Sequence, residues 1–344
     1  MSTANSTTAT AANREKLKSH MAQYSGSSYV QGWDELWNKG DFLPWDRGSP
    51  SPALADTLLH HAEVIGGPFI DGRRKRALVP GCGRGVDVLL LASFGYDVVG
   101  LEYAEKALTA CKDYVDKHKG SYPVKDEKIG QGEMKFVQGD FYKDAWFSKV
   151  GWEGWDGKFD LIYDYTVSAN APSPTTDGWD GGSSCWSQVT DLILSIGWSD
   201  TPCDFLHLPS PCHAMHSAIL MNPANQFFCA MHPSMRKDWA KRMTELLRPS
   251  PQANLVCLEF PISKPAKSGG PPFGVPPKTY LEHLSHPGED IAYDSEGNVK
   301  MNPLVESSPN ALERVGHWHP ADTHQVGKDK DGHVEDYISV WRHR

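Results

Sequence analysis

Short apolar runs alternate with longer stretches of helical periodicity along most of this 344-residue chain. Short runs rich in Val, Ile and Leu and bounded by Gly, Pro or Asp predict buried strands. Longer stretches with apolar residues at helical spacing predict helices. The predicted strands are 77–79, 97–102, 134–138, 159–163, 253–260, 312–319 and 337–341, and the predicted helices are 51–65, 86–94, 104–119, 233–247 and 277–284. This alternation predicts an α/β protein with a parallel sheet and helices on both faces.

The N-terminal stretch has a different composition. Residues 1–13 are rich in Ser, Thr, Ala and Asn and have no periodicity, which predicts disorder. Residues 14–22 have the composition of a short helix. We expect a disordered tail over 1–25 and one large domain over 26–344.

Gly81, Gly83 and Gly85 stand at alternate positions between the first large strand and its helix. Glycine permits a tight turn in which the backbone approaches a ligand, and the helix N-terminus then points at the bound group. Glu102 ends the next strand 17 residues after Gly85, near the spacing at which a carboxylate holds ribose hydroxyls. The sequence therefore predicts a nucleotide site. The alternative is a tight turn that binds nothing.

The glycine spacing also bears on the kind of nucleotide. The dinucleotide fingerprint G-x-G-x-x-G faces a pyrophosphate, whereas this chain has glycine at every second position. The compact pattern suits a cofactor with a ribose and an amino-acid tail but no phosphate, as in S-adenosylmethionine. A nicotinamide-dependent oxidoreductase is the less favoured interpretation.

Two further pairs of side chains fit this ligand. Trp33 and Trp37 would share one face of a helix, and a Trp face attracts a sulfonium cation by roughly 0.5–2 kcal/mol; a Trp pair that only packs on the core is the alternative. Asp140 and Phe141 follow the third large strand and could hold an adenine, or form a polar loop with one buried ring. Parallel sheets bind ligands at the carboxyl ends of their strands, which is where Gly81, Glu102, Asp140 and Asp164 fall.

Charge and composition exclude several classes of protein. A net charge of −9 and a pI near 5.9 argue against a nucleic-acid partner. The chain has no apolar run of about 18 residues that would span a membrane and no signal-peptide pattern. Seven scattered cysteines indicate reduced thiols, and no group of residues has convincing metal-ligand spacing. We expect a cytoplasmic monomer without a metal.

Seven motifs follow one another along the chain: Trp33-x-x-x-Trp37, Pro44-Trp45-Asp46, Leu78-Val-Pro-Gly-Cys-Gly83, Gly139-Asp-Phe141, Phe159-Asp-Leu-Ile-Tyr-Asp-Tyr165, Phe228-Cys-Ala230 and Gly269-Gly-Pro-Pro-Phe273. Together they resemble the thiopurine methyltransferase-like superfamily, and within it the thiol and halide methyltransferases of plants and fungi. The resemblance spans about residues 30–284. It implies a Rossmann-like class I fold with a seven-stranded, mostly parallel sheet, and S-adenosylmethionine-dependent methyl transfer to a small thiol, hydrosulfide or halide. The cofactor-site residues that it implies are Trp33, Trp37, Trp45, Gly81, Glu102, Asp140, Phe141 and Tyr165.

Two positions depart from the family pattern. Glu102 stands where this branch commonly has Asp, and either residue can hold ribose hydroxyls. Tyr165 stands where thiopurine enzymes carry an Arg, so a purine thiol is a less favoured acceptor. We also predict Tyr165 as the catalytic side chain that contacts the nucleophile. An anionic nucleophile needs positioning and exclusion of water more than it needs a base.

Residues 167–226 interrupt the family pattern. Joining Thr166 to Phe227 restores the expected run, so these 60 residues are an atypical insert. A long segment with little periodicity is uncommon inside a compact domain. Val-Ser at its start is what the commonest intron start encodes in frame, and Gln at its end is what a terminal CAG encodes. We hypothesise a retained intron, which would give a catalytically impaired or unstable product. A lid and a surface loop are the alternatives.

Overall fold

The computed structural model describes residues 3–25, 28–46, 48–165, 228–301 and 306–344. In these residues the strands are β1 (Phe69–Ile70), β2 (Arg73–Arg74), β3 (Arg76–Pro80), β4 (Asp97–Glu102), β5 (Met134–Gln138), β6 (Leu161–Tyr165), β7 (Asn254–Glu259), β8 (Leu312–Trp318) and β9 (Tyr337–His343). The α-helices are α1 (Thr3–Met21), α2 (Tyr29–Lys39), α3 (Pro52–His60), α4 (Ala62–Ile65), α5 (Val86–Ser93), α6 (Glu105–His118), α7 (Phe147–Val150), α8 (Arg236–Leu246) and α9 (Pro277–Ser285).

The main sheet has seven strands in the order β5-β4-β3-β6-β7-β9-β8. Neighbouring strands from β5 to β7 are parallel, and β9 is antiparallel to both β7 and β8. Every residue of β7 is buried, both the apolar run Leu255–Leu258 and the polar Asn254 and Glu259 at its ends, as expected for a strand in the interior of the sheet. The predicted Rossmann-like, mostly parallel α/β fold is confirmed.

Helices cover both faces of this sheet. On one face, Trp239 and Met243 of α8 and Tyr280 of α9 pack against strand residues such as Leu255. On the other face, α3 and α5 pack against Ala77 and its neighbours. Because both faces are covered, a ligand reaches the sheet at the ends of its strands.

A buried carboxylate holds the amino ends of the central strands together. Asp160 precedes β6 and is fully buried. It accepts hydrogen bonds from both terminal nitrogens of Arg73 at 2.6 and 2.9 Å, from the Arg76 backbone N–H at 2.9 Å, and from Nε of Arg248 at 2.9 Å. This network lies at the opposite end of the strands from the predicted site.

The N-terminal stretch differs from the expected disordered tail over 1–25. The structure has α1 there, and its residues Leu17 and Met21 are 0% and 2% exposed. They are four residues apart on one helical face and pack with Leu36 of α2. This burial against a later helix stabilises α1 although its local sequence has no periodicity. The predicted insert 167–226 lies outside the described residues.

Candidate active site

The glycine turn joins the end of β3 to the start of α5. Gly85 has a φ of +72°, a left-handed conformation that favours glycine. A Cβ at this position would lie 2.5 Å from Sγ of Cys111, so a side chain would also collide with α6. The turn is closed by a hydrogen bond from the Gly85 N–H to the Cys82 carbonyl oxygen at 2.8 Å. The backbone is thereby held close to the sheet at the predicted ligand position.

Glu102 ends β4 beside this turn and is 4% exposed. Its Oε1 accepts from the backbone N–H groups of Tyr103 at 2.8 Å and Ala104 at 3.1 Å, and its Oε2 accepts from the Gly83 N–H at 3.3 Å. Burial raises the pKa of Glu102 to about 7, although these three hydrogen bonds act in the opposite direction. The carboxylate therefore ties β4 to the glycine turn with a fixed orientation.

A cavity of about 120 Å³, which we call the cofactor cavity, lies at the carboxyl ends of β3, β4 and β5. Six of the eight predicted site residues line it: Trp33, Trp37, Gly81, Glu102, Asp140 and Phe141. Its described wall also includes Asp34, so that it carries three carboxylates and no Lys, Arg or His. Such a wall suits hydroxyl donors and a cation, and it does not suit a pyrophosphate.

Helix α2 supplies the aromatic side of this cavity. Tyr29, Trp33 and Trp37 are spaced by four residues and so share one face of the helix. The Tyr29 hydroxyl donates to the Ala230 carbonyl oxygen at 2.8 Å, which fixes the start of α2 against the loop before α8. Trp37 is 2% exposed and also packs with Ala104 and Ala107. Trp37 therefore both lines the cavity and packs on the core, while Trp33 lines the cavity.

The other two predicted residues, Trp45 and Tyr165, line a second cavity of about 50 Å³. Gly81 lines both cavities, so they meet at the glycine turn. The rings of Trp33 and Trp45 contact edge to face with their centroids 5.2 Å apart, across the boundary between the cavities. The eight predicted residues thus fall into two adjoining groups.

Tyr165 ends β6 and is half-buried. Its ring is nearly parallel to that of His324, with centroids 5.8 Å apart and an interplanar angle of 12°. His324 belongs to the loop between β8 and β9, which approaches the site from the far side of the sheet. Sequence reasoning did not single out this residue, because nothing in its local pattern relates it to β6.

Several lining residues were missed by sequence reasoning. Tyr103 follows Glu102 directly and is 39% exposed at the cofactor cavity, so its position after the strand could have suggested it. Tyr142 also lines this cavity and directly follows a predicted site residue, Phe141. Met231 and Met235 complete the wall; they come shortly after the Phe228-Cys-Ala230 motif, but side chains of this type usually indicate core packing.

Asp164 differs from the expectation that it lies with the other strand-end groups. It is 1% exposed and lines neither cavity, and its two oxygens have no hydrogen-bond donor among the described residues. Burial raises its pKa well above the usual value for Asp. Its side chain is on the α8 and α9 face of the sheet, next to Cys257 of β7. A strand alternates its faces, and this sends Asp164 into the core.

Comparison with known proteins bears on what this arrangement does. The family model described as "Thiopurine S-methyltransferase (TPMT)" matches residues 29–175 and 217–309. The chain belongs to this family. The predicted resemblance is confirmed, and with it the prediction of an S-adenosylmethionine-dependent methyltransferase.

Two plant methyltransferases are similar to the chain over most of its length, and a bacterial one over a shorter part. "Probable thiol methyltransferase 2" of Arabidopsis thaliana is 28% identical over 85% of this chain and 86% of its own length. "Thiocyanate methyltransferase 1" of Brassica oleracea is 27% identical over 83% of this chain and 84% of its own. A "Thiopurine S-methyltransferase" of Legionella pneumophila (strain Corby) is 33% identical, but over only 30% of this chain and 41% of its own.

Proposed function

We propose that this protein transfers a methyl group from S-adenosylmethionine to a small thiol, hydrosulfide or halide by direct in-line displacement. The observation that carries the proposal is the pair of cavities that meet at Gly81. The larger one has the carboxylates and rings that suit the nucleoside. The smaller one, walled by Trp45 and Tyr165, leaves room for an acceptor beside it.

The residues of the cofactor cavity fit the proposed cofactor. Glu102 is fixed by three backbone N–H groups and retains lone pairs for ribose hydroxyls. We assign Asp140 and Phe141, which line this cavity, to the adenine, and the ring of Trp33 to the sulfonium. S-adenosylmethionine supplies an electrophilic methyl group on that sulfonium. This protein's own contribution is to orient the reactants and to keep water out.

The size of the second cavity favours a small acceptor. A cavity needs roughly 10–15 Å³ to hold one water, so 50 Å³ has space for a few heavy atoms. Hydrosulfide, a halide, thiocyanate or a short thiol fits this space. The printed names of the two plant relatives, a thiol and a thiocyanate methyltransferase, support the same class.

The family match narrows the alternatives. It does not favour a nicotinamide-dependent oxidoreductase, and the cofactor cavity has no basic residue in its described wall for a pyrophosphate. The remaining alternative is a catalytically impaired product caused by the insert. The family model leaves residues 176–216 unmatched, which supports an insertion inside the predicted 167–226.

The test measures S-adenosylhomocysteine release from S-adenosylmethionine with hydrosulfide, ethanethiol and iodide as acceptors. It compares the full chain with a version that lacks residues 167–226. Turnover by both proteins would support the proposed reaction and an insert that is tolerated as a loop. Turnover by only the shorter protein would support the reaction and an inhibitory insert. Absence of turnover and of cofactor binding in both would refute the proposal.

We also propose a cytosolic monomer. The four described cysteines, Cys82, Cys111, Cys229 and Cys257, are free thiols buried in the domain, which is usual in a reducing compartment. Among the described residues, no helix has both the length and the apolar character needed to cross a membrane. Light scattering of the purified chain tests the assembly state.

A further inference from the structure

Asp87, the second residue of α5, forms part of the wall of the second cavity. It is 8% exposed. Its Oδ1 accepts a hydrogen bond from the Ser51 backbone N–H at 2.8 Å, and among the described residues no donor reaches its Oδ2. One oxygen is thus held in place, while the other has no donor among the described residues, and Tyr165 lines the same cavity as Asp87.

The groups around Asp87 do not neutralise its charge. In the second cavity, Arg84 is already paired with Asp46, and Cys82 and Tyr165 are the other titratable side chains. From the neighbouring elements, the charge of Asp87 affects the pKa of Tyr163 on β6 and of Tyr114 on α6. Burial without a cationic partner raises the pKa of Asp87 to about 7.

The proposed acceptors differ in whether they need to lose a proton. Iodide and thiocyanate are anions at every relevant pH. A thiol resembles the cysteine side chain, whose ordinary pKa is about 8.5, so most of it is protonated at pH 7. The apolar part of the cavity wall, which includes Trp45, Val79 and Val86, favours this neutral form over the thiolate. A base of near-neutral pKa inside the cavity would therefore help thiols and would be of no use to halides.

We propose, building on the function proposed above, that Oδ2 of Asp87 accepts the proton of a neutral thiol or hydrogen sulfide in the second cavity. The S–H bond of the acceptor breaks and an O–H bond forms on Asp87. The acceptor sulfur forms the new bond to the methyl carbon, and the electrons of the old methyl–sulfur bond stay with S-adenosylhomocysteine. Asp87 then releases the proton to solvent. Asp87 is a second catalytic residue beside Tyr165 and acts on only one class of acceptor.

The Asp87→Asn variant tests this assignment. Its amide oxygen still accepts from the Ser51 N–H, so the loop keeps its anchor while the base is lost. We expect kcat/KM with iodide and thiocyanate not to fall, because these anions need no base and the variant lacks the negative charge that Asp87 adds to the cavity wall. With ethanethiol at pH 7 it should fall about 100-fold, at the lower end of typical acid–base contributions. The wild-type thiol reaction should level off above about pH 7, whereas that of the variant should keep rising up to the pKa of the thiol.

Two further variants serve as controls for the loss of the carboxylate. Asp87→Glu retains a carboxylate and should recover at least tenfold of the thiol activity that Asp87→Asn loses. Asp56→Asn removes a carboxylate of similar burial, 3% exposed, that lines neither cavity and accepts from the Ala321 N–H at 3.0 Å. It should change both acceptor reactions by the same factor.

The ratio of thiol turnover to iodide turnover tests the assignment of Asp87, because a partial loss of folded enzyme lowers both rates by the same factor and leaves their ratio unchanged. An unchanged ratio in Asp87→Asn, whether both rates fall or neither does, would overturn the assignment. If neither the wild-type chain nor the version that lacks residues 167–226 methylates any of the acceptors, the proposed function itself has failed. That result does not depend on the variant.

Discussion

Replacing Glu102 with Gln should weaken binding of the cofactor through its ribose. Gln keeps the size of the side chain, but it has one acceptor oxygen where the carboxylate has two. If its oxygen stays with the N–H groups of Tyr103 and Ala104, its NH₂ group faces the Gly83 N–H, now 3.3 Å away from Oε2. Two donors would then oppose each other at the glycine turn.

The expected magnitude follows from the hydrogen bonds that change. A hydrogen bond to a charged group contributes about 1.5–3 kcal/mol, and one between neutral groups about 0.5–1.5 kcal/mol. Loss of one charged contact to a ribose hydroxyl should thus cost about 1.5–3 kcal/mol. Since about 1.4 kcal/mol corresponds to a factor of ten, Kd should rise roughly 10- to 100-fold.

Isothermal titration calorimetry with S-adenosylmethionine and S-adenosylhomocysteine measures this effect. Both ligands carry the ribose, so both should lose affinity by a similar factor. Glu282→Gln is the matched control, because Glu282 is 9% exposed on α9 and lines neither cavity; its Kd values should match wild type. A change below threefold in Glu102→Gln, or a loss confined to one ligand, would refute the assignment of Glu102 to the ribose.

The remaining predictions concern charge, turnover, pH and stability. Trp33→Leu should reduce the binding free energy of S-adenosylmethionine by about 0.5–2 kcal/mol more than that of S-adenosylhomocysteine, which lacks the sulfonium charge. Equal losses of affinity for the two ligands in calorimetry would contradict this. Tyr165→Phe should lower kcat by a larger factor than it changes the Kd of the cofactor. An unchanged kcat would refute the predicted catalytic role of Tyr165. The pKa values of Asp87 and Glu102 are raised to about 7 in the folded protein, so the folded state holds their protons more tightly. The free energy of unfolding should therefore fall as pH rises from about 4.5 to 7, with a smaller slope in Glu102→Gln, as urea denaturation at each pH can measure. Asp160→Asn should cost about 3 kcal/mol of stability by breaking a buried ion-pair network, and calorimetry of the folded variant should give a wild-type cofactor Kd.

Apolar patterning was enough to predict the strands of the main sheet, but it was less reliable for the bounds of each strand and for very short strands. β5 has the predicted bounds, Met134–Gln138. β6 begins two residues later than predicted. Phe159 instead donates its N–H to Leu246, the last residue of α8, and accepts from the N–H of Arg248 just after the helix, and the strand continues through Tyr165. The two-residue strands β1 and β2 were missed, since a hairpin that short has no periodicity.

The glycine spacing and the strand-end carboxylate predicted where the cofactor site lies. They could not separate the two cavities, because the position of Trp45 depends on its contact with Trp33 in three dimensions. Asp87 was overlooked inside an apolar helix. Its burial depends on Ser51, which is 36 residues earlier in the chain and lies over the start of α5. Local sequence carries no trace of such a contact.

The most direct test of the proposed reaction follows the methyl group itself. The full chain is incubated with S-adenosylmethionine that carries a deuterated methyl group, with hydrosulfide as acceptor, and the headspace is analysed by gas chromatography and mass spectrometry. We predict methanethiol with all three deuterium atoms, formed in step with S-adenosylhomocysteine. Binding of S-adenosylmethionine without any labelled product from hydrosulfide, ethanethiol or iodide, both in the full chain and in the version that lacks residues 167–226, would contradict the proposed function.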